Sequence, residues 1–295
     1  MNNFSTTGTL FSKNFSLNLG GRILDLSTPC VMGVINVTPD SFYGESRMAE
    51  PQTALHAARE MLDRGALILD VGAVSSRPGA GHIPEQEELD RLSPVLETLR
   101  NEIPDALISV DTWRSGLARE VHRRFGIHMI NDISAGDKDP EMFPTVASLG
   151  VPYVLMHMQG DPSHMQDNPE YGDVVDDLLR YFSERVYRLR KLGVNDIVVD
   201  PGFGFGKTAE HNYTLLRELD AFRMLELPLM VGISRKSMIC KVLKVDPDKA
   251  LNGTTAAHMA ALLNGASILR VHDVQEAVET VKIFQQIVKT PDRGV

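Results

Sequence analysis

One short stretch of the sequence gives the clearest indication of the fold: Ile197-Val-Val-Asp-Pro-Gly-Phe-Gly-Phe-Gly-Lys207. It begins as an unbroken apolar run, which is typical of a strand that is buried on both faces in a parallel sheet. A carboxylate, three glycines and a lysine follow where that strand ends. The stretch therefore predicts a buried parallel strand that presents polar residues at one edge of a sheet.

The glycines suggest a phosphate-binding loop, but their spacing fits neither standard motif. A Walker loop requires a glycine five residues before Gly206, and the chain has Pro201 there. A dinucleotide-binding loop requires Gly-x-Gly-x-x-Gly, whereas the spacing here is Gly-x-Gly-x-Gly. The loop thus serves another purpose, which needs a carboxylate, a phenyl ring and a permissive backbone at a strand end.

Similar apolar runs recur along the chain, with helical segments between them. Eight strand–helix units with short links favour a closed parallel barrel over an open sheet. We predict an α/β fold, a single (β/α)8 TIM barrel at residues 28–290, preceded by a β-hairpin at 15–26 and a polar tail at 1–14. The turn of the hairpin is Gly20-Gly21, which supplies positive φ. The runs are 30–35, 67–71, 107–110, 128–130, 152–156, 197–199, 229–233 and 268–271.

The helical segments are recognised by apolar stripes with a period of 3.6 residues, clearest over 175–189 and 274–288. A third stripe, over 89–99, contains Pro94. Proline removes a helical hydrogen bond, so this position predicts a kink or a restart of the helix. We expect all three stripes to pack on the barrel.

Composition bears on partners and location. The 295 residues carry a net charge of −9, which disfavours broad affinity for nucleic acid or acidic membranes. The two cysteines, Cys30 and Cys240, suggest no disulfide framework and fit a reducing cytoplasm. No stretch supplies the roughly 20 apolar residues of a membrane span, and residues 1–12 lack the apolar core of a signal peptide. We predict a cytoplasmic protein.

Candidate functional residues follow the strands, because a parallel barrel gathers its chemistry at the carboxyl ends of its strands. Asp111, Asn131 and Asp200 form a carboxylate and amide set. Such a set suits a planar, donor-rich, guanidine-like edge, since a carboxylate accepts two parallel hydrogen bonds.

A second set, of cationic and polar side chains, suits phosphate oxygens and Mg²⁺. The loops after the seventh and eighth strands are the usual phosphate corner of this fold. This second set is Asn36, Arg77, Arg270 and His272, and a small flat pocket is predicted from Phe42, Ser76, Pro78 and Ser234.

Other polar residues carry weaker signals. Lys236 leaves open a Schiff-base lysine of the aldolase kind, although its neighbour Arg235 more simply suits a phosphate site. His157, His164 and His258 have no metal-ligand spacing and are expected to be structural. Lys207 is expected to be solvated or paired.

Five motifs, in this order along the chain, resemble the signatures of the dihydropteroate synthase family. The resemblance extends from about residue 15 to the carboxyl terminus. The motifs are Met32-Gly-Val-Ile-Asn-Val-Thr-Pro-Asp-Ser-Phe42, Val154-Leu-Met-His-Met-Gln-Gly160, Asp200-Pro-Gly-Phe-Gly-Phe-Gly-Lys207, Ser234-Arg-Lys-Ser237 and Arg270-Val-His-Asp-Val274.

The resemblance implies a cytoplasmic, homodimeric barrel enzyme of folate synthesis that is inhibited by sulfonamides. Such an enzyme joins 6-hydroxymethyl-7,8-dihydropterin diphosphate to 4-aminobenzoate and releases diphosphate. By this resemblance, the pterin would be contacted by Asp111, Asn131, Met156, Asp200, Phe205 and Lys236. The diphosphate would be bound by Asn36, Arg77, Arg270 and His272, and Asn36 would also hold Mg²⁺. The aminobenzoate would be bound by Phe42, Ser76, Pro78 and Ser234.

The resemblance also implies the roles in the reaction. Fixed carboxylates would favour a cationic pterin ring once the bond to the diphosphate breaks, and the cationic set would stabilise the departing charge. No protein nucleophile is needed, so no covalent enzyme intermediate is expected. The residues expected to act in this step are Asp111, Asp200, Lys236, Arg270 and His272.

Two loops depart from the family pattern. Ala73, Val74 and Ser76 stand where the family usually has glycine, glutamate and threonine, and 43–47 replace its usual Ser-Asp-Gly-Gly. Two other functions remain open at this point. One is a methyltetrahydrofolate-dependent methyltransferase, which shares the pterin carboxylates, and the other is a pterin-binding protein without catalysis.

Overall fold

A computed structural model describes residues 15–37, 49–74, 83–161, 165 and 169–289. Its central feature is a sheet of eight parallel strands in the order β8-β7-β6-β5-β4-β3-β10-β9. A parallel bridge between Val199 and Leu229 joins the two ends of this order and closes the barrel. The strands are β3 (Cys30–Asn36), β4 (Ile68–Gly72), β5 (Leu107–Asp111), β6 (Met129–Asp132), β7 (Tyr153–Met156), β8 (Ile197–Asp200), β9 (Met230–Val231) and β10 (Ile268–Val271).

Helices surround the barrel and bury their apolar stripes against the outward faces of the strands. The prediction of a (β/α)8 barrel is therefore confirmed. The helices are α1 (Ala49–Asp63), α2 (Glu85–Glu102), α3 (Ser115–Phe125), α4 (Met142–Leu149), α5 (Val174–Lys191), α6 (Ala209–Arg217), α7 (Ser237–Leu243), α8 (Leu251–Leu263) and α9 (Val274–Val288), with 3-10 turns at Leu219–Leu225 and Pro247–Lys249.

Helix α2 runs through Pro94 without a break, so the predicted restart of the helix is wrong. Proline removes one backbone donor from the helix. Leu92 and Leu96, on either side of it, are fully buried against the barrel. Burial of about 25 cal/mol per Å² of apolar surface at such residues outweighs the loss of a single helical hydrogen bond.

The interior of the barrel is arranged in layers, because side chains alternate between the two faces of each strand. The lower layer is apolar and fully packed. It consists of Met32, Ile68, Leu107, Met129, Val154, Val198, Met230 and Ile268, all buried.

Two residues further along each strand the interior becomes polar. This middle layer consists of Val34, Asp70, Ser109, Asn131, Met156, Asp200, Gly232 and Arg270. Another step of two gives an upper layer that includes Asn36, Asp111, Ser234 and His272. The period of two along the strands thus places most of the candidate residues in two adjacent layers at the carboxyl end of the barrel.

The amino-terminal end of the barrel is covered by the predicted hairpin, β1 (Ser16–Leu19) paired with β2 (Arg22–Asp25). Leu17 and Leu19 are buried in the same cluster as the lower layer. The hairpin therefore closes the end of the barrel that lies opposite the polar layers. Among the described residues, none of the helices is long and apolar enough to span a membrane.

Candidate active site

Arg270 lies at the centre of the polar layers and is held by two carboxylates. Its Nε donates to Asp70 Oδ2 at 2.7 Å, and its Nη2 donates to Asp111 Oδ2 at 2.9 Å. Burial raises the pKa of Asp111 to about 7, although the Arg270 charge opposes this shift. The attraction of Asp70 and Asp111 raises the pKa of Arg270 in spite of its burial, so the arginine stays charged.

Three polar atoms of the middle layer have no hydrogen-bond partner among the described residues: Asp70 Oδ1, Ser109 Oγ and Asn131 Oδ1. The amide nitrogen of Asn131 donates to Asp70 Oδ2 at 2.9 Å, which fixes the amide oxygen as the unpaired atom. Buried polar atoms are normally paired, since an unpaired one costs about 1–3 kcal/mol. Two of the three atoms are pure acceptors, so this layer suits a ligand with several N–H donors.

Asp200 ends β8 on the other side of the interior and is 4% exposed. Its Oδ1 accepts from the Gly202 amide at 2.7 Å. Burial raises the pKa of this carboxyl, whereas the nearby Lys236, the Gly202 amide and Arg270 act in the opposite direction.

Lys236 reaches the same region from the loop before α7. Its Nζ donates to the Phe203 carbonyl and lies 4.5 Å from the centre of the Phe205 ring. Burial lowers the pKa of Lys236 to about 8, against the attraction of Asp200. This lysine is therefore held between a carbonyl and an aromatic ring, beside a buried carboxylate.

An apolar wall borders these polar groups. Met156 belongs to a small cluster separate from the main core, and Phe205 and Val74 pack against it. Val74 stands where the family pattern has a glutamate, so this chain extends the apolar wall at that point. The buried members of the cluster are Trp113, Ile133, Met156, Met158 and Met165.

The upper layer carries smaller polar groups. Ser234 is buried, and its Oγ lies 3.4 Å from both the backbone nitrogen and ring Nδ1 of His272. His272 is exposed, and Asn36 is half-buried at the end of β3. In the described part of the chain, no cluster of three His, Cys, Asp or Glu side chains has the arrangement of a metal site.

The structure thus brings together nine of the residues predicted from the sequence, while four lie outside the described residues. Those brought to the carboxyl end of the barrel are Asn36, Asp111, Asn131, Met156, Asp200, Phe205, Ser234, Lys236 and Arg270, with His272 beside them on the surface. Those outside the described residues are Phe42, Ser76, Arg77 and Pro78.

The sequence interpretation missed Asp70. Asp70 lies inside an apolar run rather than after one, and a carboxylate in the middle of a buried strand was the signal for it. Arg235 forms a two-pronged ion pair with Asp273 at 2.7 Å and donates to the Pro247 and Asp248 carbonyls. It therefore joins loops of the protein to one another, and its suggested phosphate role stays a prediction.

Comparison with known proteins agrees with this site. A family model described as "pterin binding enzyme" matches residues 32–272. The dihydropteroate synthase of Escherichia coli K12 is 44% identical over 267 residues, covering 90% of this chain and 94% of that protein. The dihydropteroate synthase of Haemophilus influenzae is 41% identical and covers 91% of this chain and 98% of its own length.

Solved structures give the same result. A dihydropteroate synthase of Yersinia pestis, in complex with a sulfonamide drug, superposes with a TM-score of 0.86 at 43% identity and covers 92% of this chain and 99% of its own. One of Xanthomonas albilineans, with 4-aminobenzoic acid, also has a TM-score of 0.86, at 38% identity, and covers 95% of this chain and 100% of its own.

The barrel, with its layer of buried acceptors, defines the class of pterin-binding enzymes. Within that class the chain belongs to the dihydropteroate synthase family, whose members are transferases of folate synthesis.

Proposed function

We propose that this protein condenses 6-hydroxymethyl-7,8-dihydropterin diphosphate with 4-aminobenzoate, giving 7,8-dihydropteroate and diphosphate. The observation that carries the proposal is the set of buried acceptors in the middle layer. Asp70 Oδ1 and Asn131 Oδ1 are unpaired among the described residues, and the Asp200 carboxylate lies in the same layer. The amino group and ring N–H groups of a pterin supply the donors that such acceptors need.

The apolar wall suits the remainder of the pterin. A flat heterocycle would bury one face against this wall, where Phe205 packs on the cluster that contains Met156. Burial of aromatic faces contributes affinity, while the acceptors fix the orientation of the ring. Together these groups would place the pterin deep in the barrel, with its diphosphate toward the upper layer.

The proposed reaction is a dissociative displacement. The bond between the pterin methylene carbon and the diphosphate oxygen breaks, and its electron pair leaves with the diphosphate. The fixed charges of Asp111 and Asp200 favour positive charge on the pterin ring, and Arg270 and His272 favour the departing anion. The aniline nitrogen then bonds to the methylene carbon and loses a proton, and no protein atom forms a covalent bond.

Mg²⁺ is proposed to bind together with the diphosphate. The amide oxygen of Asn36, half-buried at the end of β3, is a ligand type that Mg²⁺ accepts. Mg²⁺ usually keeps several waters and takes one or two carboxylates together with substrate phosphates, so Asn36 would act beside phosphate oxygens and water. When bound, the ion would neutralise part of the negative charge of the diphosphate.

We also propose a homodimer. Large apolar side chains are exposed on α7, α8 and α9, which neighbour one another around the barrel. Apolar surface of this kind commonly marks a protein interface. The residues are Val242, Leu243, Leu263, Ile283, Ile287 and Val288. A second copy of the chain is the proposed partner, and sedimentation velocity tests for it.

Two related proposals follow from the family. Sulfonamides would compete for the aminobenzoate site, in which Ser234 is the described member. The relatives named above are dihydropteroate synthases, which favours this reaction over methyl transfer from methyltetrahydrofolate.

The negative charge and the pair of unbonded cysteines fit a cytoplasmic location.

The test combines binding with turnover. Isothermal titration with the pterin diphosphate, with and without Mg²⁺, measures recognition, and diphosphate release measures chemistry. We expect release that depends on 4-aminobenzoate. Binding without such release would leave a pterin-binding protein without catalysis, and a trapped covalent adduct with either substrate would contradict the mechanism.

A further inference from the structure

Lys207 ends the glycine-rich loop, and its side chain is turned inward to a site that is 2% exposed. Its Nζ lies 2.9 Å from His157 Nδ1, 3.0 Å from the Gly202 carbonyl and 3.0 Å from the Phe205 carbonyl. The His157 carbonyl lies 3.3 Å away. A lysine ammonium has three donors and no acceptor, so surroundings made up of acceptors suit it, and the three nearer ones can each take one donor.

The glycines explain how the carbonyls come to face this lysine. Gly202 and Gly206 have φ values of 69° and 58°, in the left-handed region. A Cβ at Gly202 would lie 1.9 Å from the His157 carbonyl oxygen, and one at Gly206 would lie 2.3 Å from that of Gln159. The loop therefore rests directly on the backbone that follows β7. It has the opposite polarity to a phosphate loop, which turns its N–H groups toward an anion.

The same loop also holds groups of the pterin pocket. The Phe203 carbonyl accepts from Lys236 Nζ, and the Phe205 ring packs beside that Nζ. At the start of the loop, the Gly202 amide donates to Asp200. One loop thus connects the buried cation Lys207 with Asp200 and Lys236.

We propose that Lys207 is a positioning residue for the pterin pocket. It draws the Gly202 and Phe205 carbonyls together and ties them to His157, and so it fixes the Phe205 ring and the contact between Phe203 and Lys236. This role rests on the proposed function of the protein. Lys207 acts through the loop, because the atoms that contact its Nζ belong to the loop itself and to His157.

Burial works against the charge of Lys207 and lowers its pKa well below the ordinary value, whereas the attraction of Asp200 and the acceptors around Nζ favour the ammonium. Burial also lowers the pKa of His157 to about 2, so its ring is neutral and Nδ1 can accept from the lysine. This contact with Lys207 fits the structural role expected for His157.

The first test is Lys207→Met, which keeps most of the aliphatic chain and removes the donors. We expect KM for the pterin diphosphate to rise about tenfold, because the acceptors lose their partner, while KM for 4-aminobenzoate changes less than about twofold. Lys191→Met, at the exposed end of α5, is the matched control and should leave both constants unchanged. A variant with lower kcat and two unchanged KM values would overturn the inference, since loss of folded protein alone gives that result.

A second variant covers the case in which methionine disturbs folding. Lys207→Ala leaves space for a small molecule, so pterin diphosphate binding is measured by calorimetry with propylammonium or with propanol added. We expect propylammonium to restore binding and the alcohol to have little effect. Restoration by both, or by neither, would contradict a role for the ammonium. Wild-type protein without aminobenzoate-dependent diphosphate release would instead contradict the proposed function, and active wild type beside an unaffected Lys207 variant would contradict this inference alone.

Discussion

Asp70 accepts from Arg270 at 2.7 Å although 200 residues separate them in the sequence, and both belong to the middle layer of the barrel interior. Asp70 is fully buried, whereas the Arg270 side chain is 23% exposed. The carboxylate therefore anchors the arginine within its own layer, and Asp111 contacts the same guanidinium from the layer above.

This anchoring gives the first prediction. Asp70→Asn should lower the free energy of unfolding by about 1–3 kcal/mol, because a buried arginine loses a charged acceptor. It should also reduce turnover, since Arg270 is less firmly held. Urea denaturation and steady-state kinetics measure the two effects, with Asp63→Asn on the exposed surface of α1 as control.

A double-mutant cycle sharpens the prediction. The losses of unfolding free energy caused by Asp70→Asn and Arg270→Ala should be less than additive in the double variant, because the two residues share one contact. Additive losses would mean that Asp70 acts independently of Arg270.

The second prediction concerns Asp200. Asp200→Asn should raise KM for the pterin diphosphate about tenfold or more, because a charge-assisted interaction becomes a neutral one. KM for 4-aminobenzoate should change little. Asp220→Asn, at an exposed position, is the matched control. An unchanged pterin KM would remove Asp200 from the pterin site.

The third prediction is a dependence on pH. Asp111, whose pKa is raised to about 7, is protonated below that pH and then accepts fewer hydrogen bonds. Lys236, whose pKa is lowered to about 8, loses its charge above that pH, and its predicted contact with the pterin loses a charged donor. Pterin affinity should therefore rise through about pH 7 and fall above about pH 8.

Calorimetry across this range measures both limbs of the profile. Asp111→Asn should remove the acidic limb, and Lys236→Met should remove the basic limb. Identical profiles in wild type and both variants would assign the titration to other groups.

The fourth prediction concerns Mg²⁺. Chelation by EDTA should abolish diphosphate release and leave binding of 6-hydroxymethylpterin, which has no diphosphate, unchanged. Asn36→Ala should raise the Mg²⁺ concentration for half-maximal turnover by about tenfold, because it removes the proposed amide ligand. The same Mg²⁺ dependence in this variant and in wild type would place the ion elsewhere.

The sequence was sufficient to predict the barrel, because non-alternating apolar runs and helical stripes are local signals. It was also sufficient to predict that Asp111, Asn131 and Asp200 lie at the carboxyl end of the barrel, because each stands directly after an apolar run. Asp70 was missed because it lies within its apolar run rather than after it, beside Val34 and Ser109 of the neighbouring strands. The inward turn of Lys207 depends on contact with the loop after β7, which no spacing within its own motif reveals.

The hairpin at the base of the barrel affects the order in which the two substrates can bind. Leu17 and Leu19 seal the interior from below, so a molecule can reach the polar layers from above. A pterin bound at the middle layer would lie at the closed end of the barrel interior, with the aminobenzoate nearer the opening. The enzyme should then load its substrates in sequence, pterin diphosphate first, and an arylamine that arrives early would obstruct the entrance.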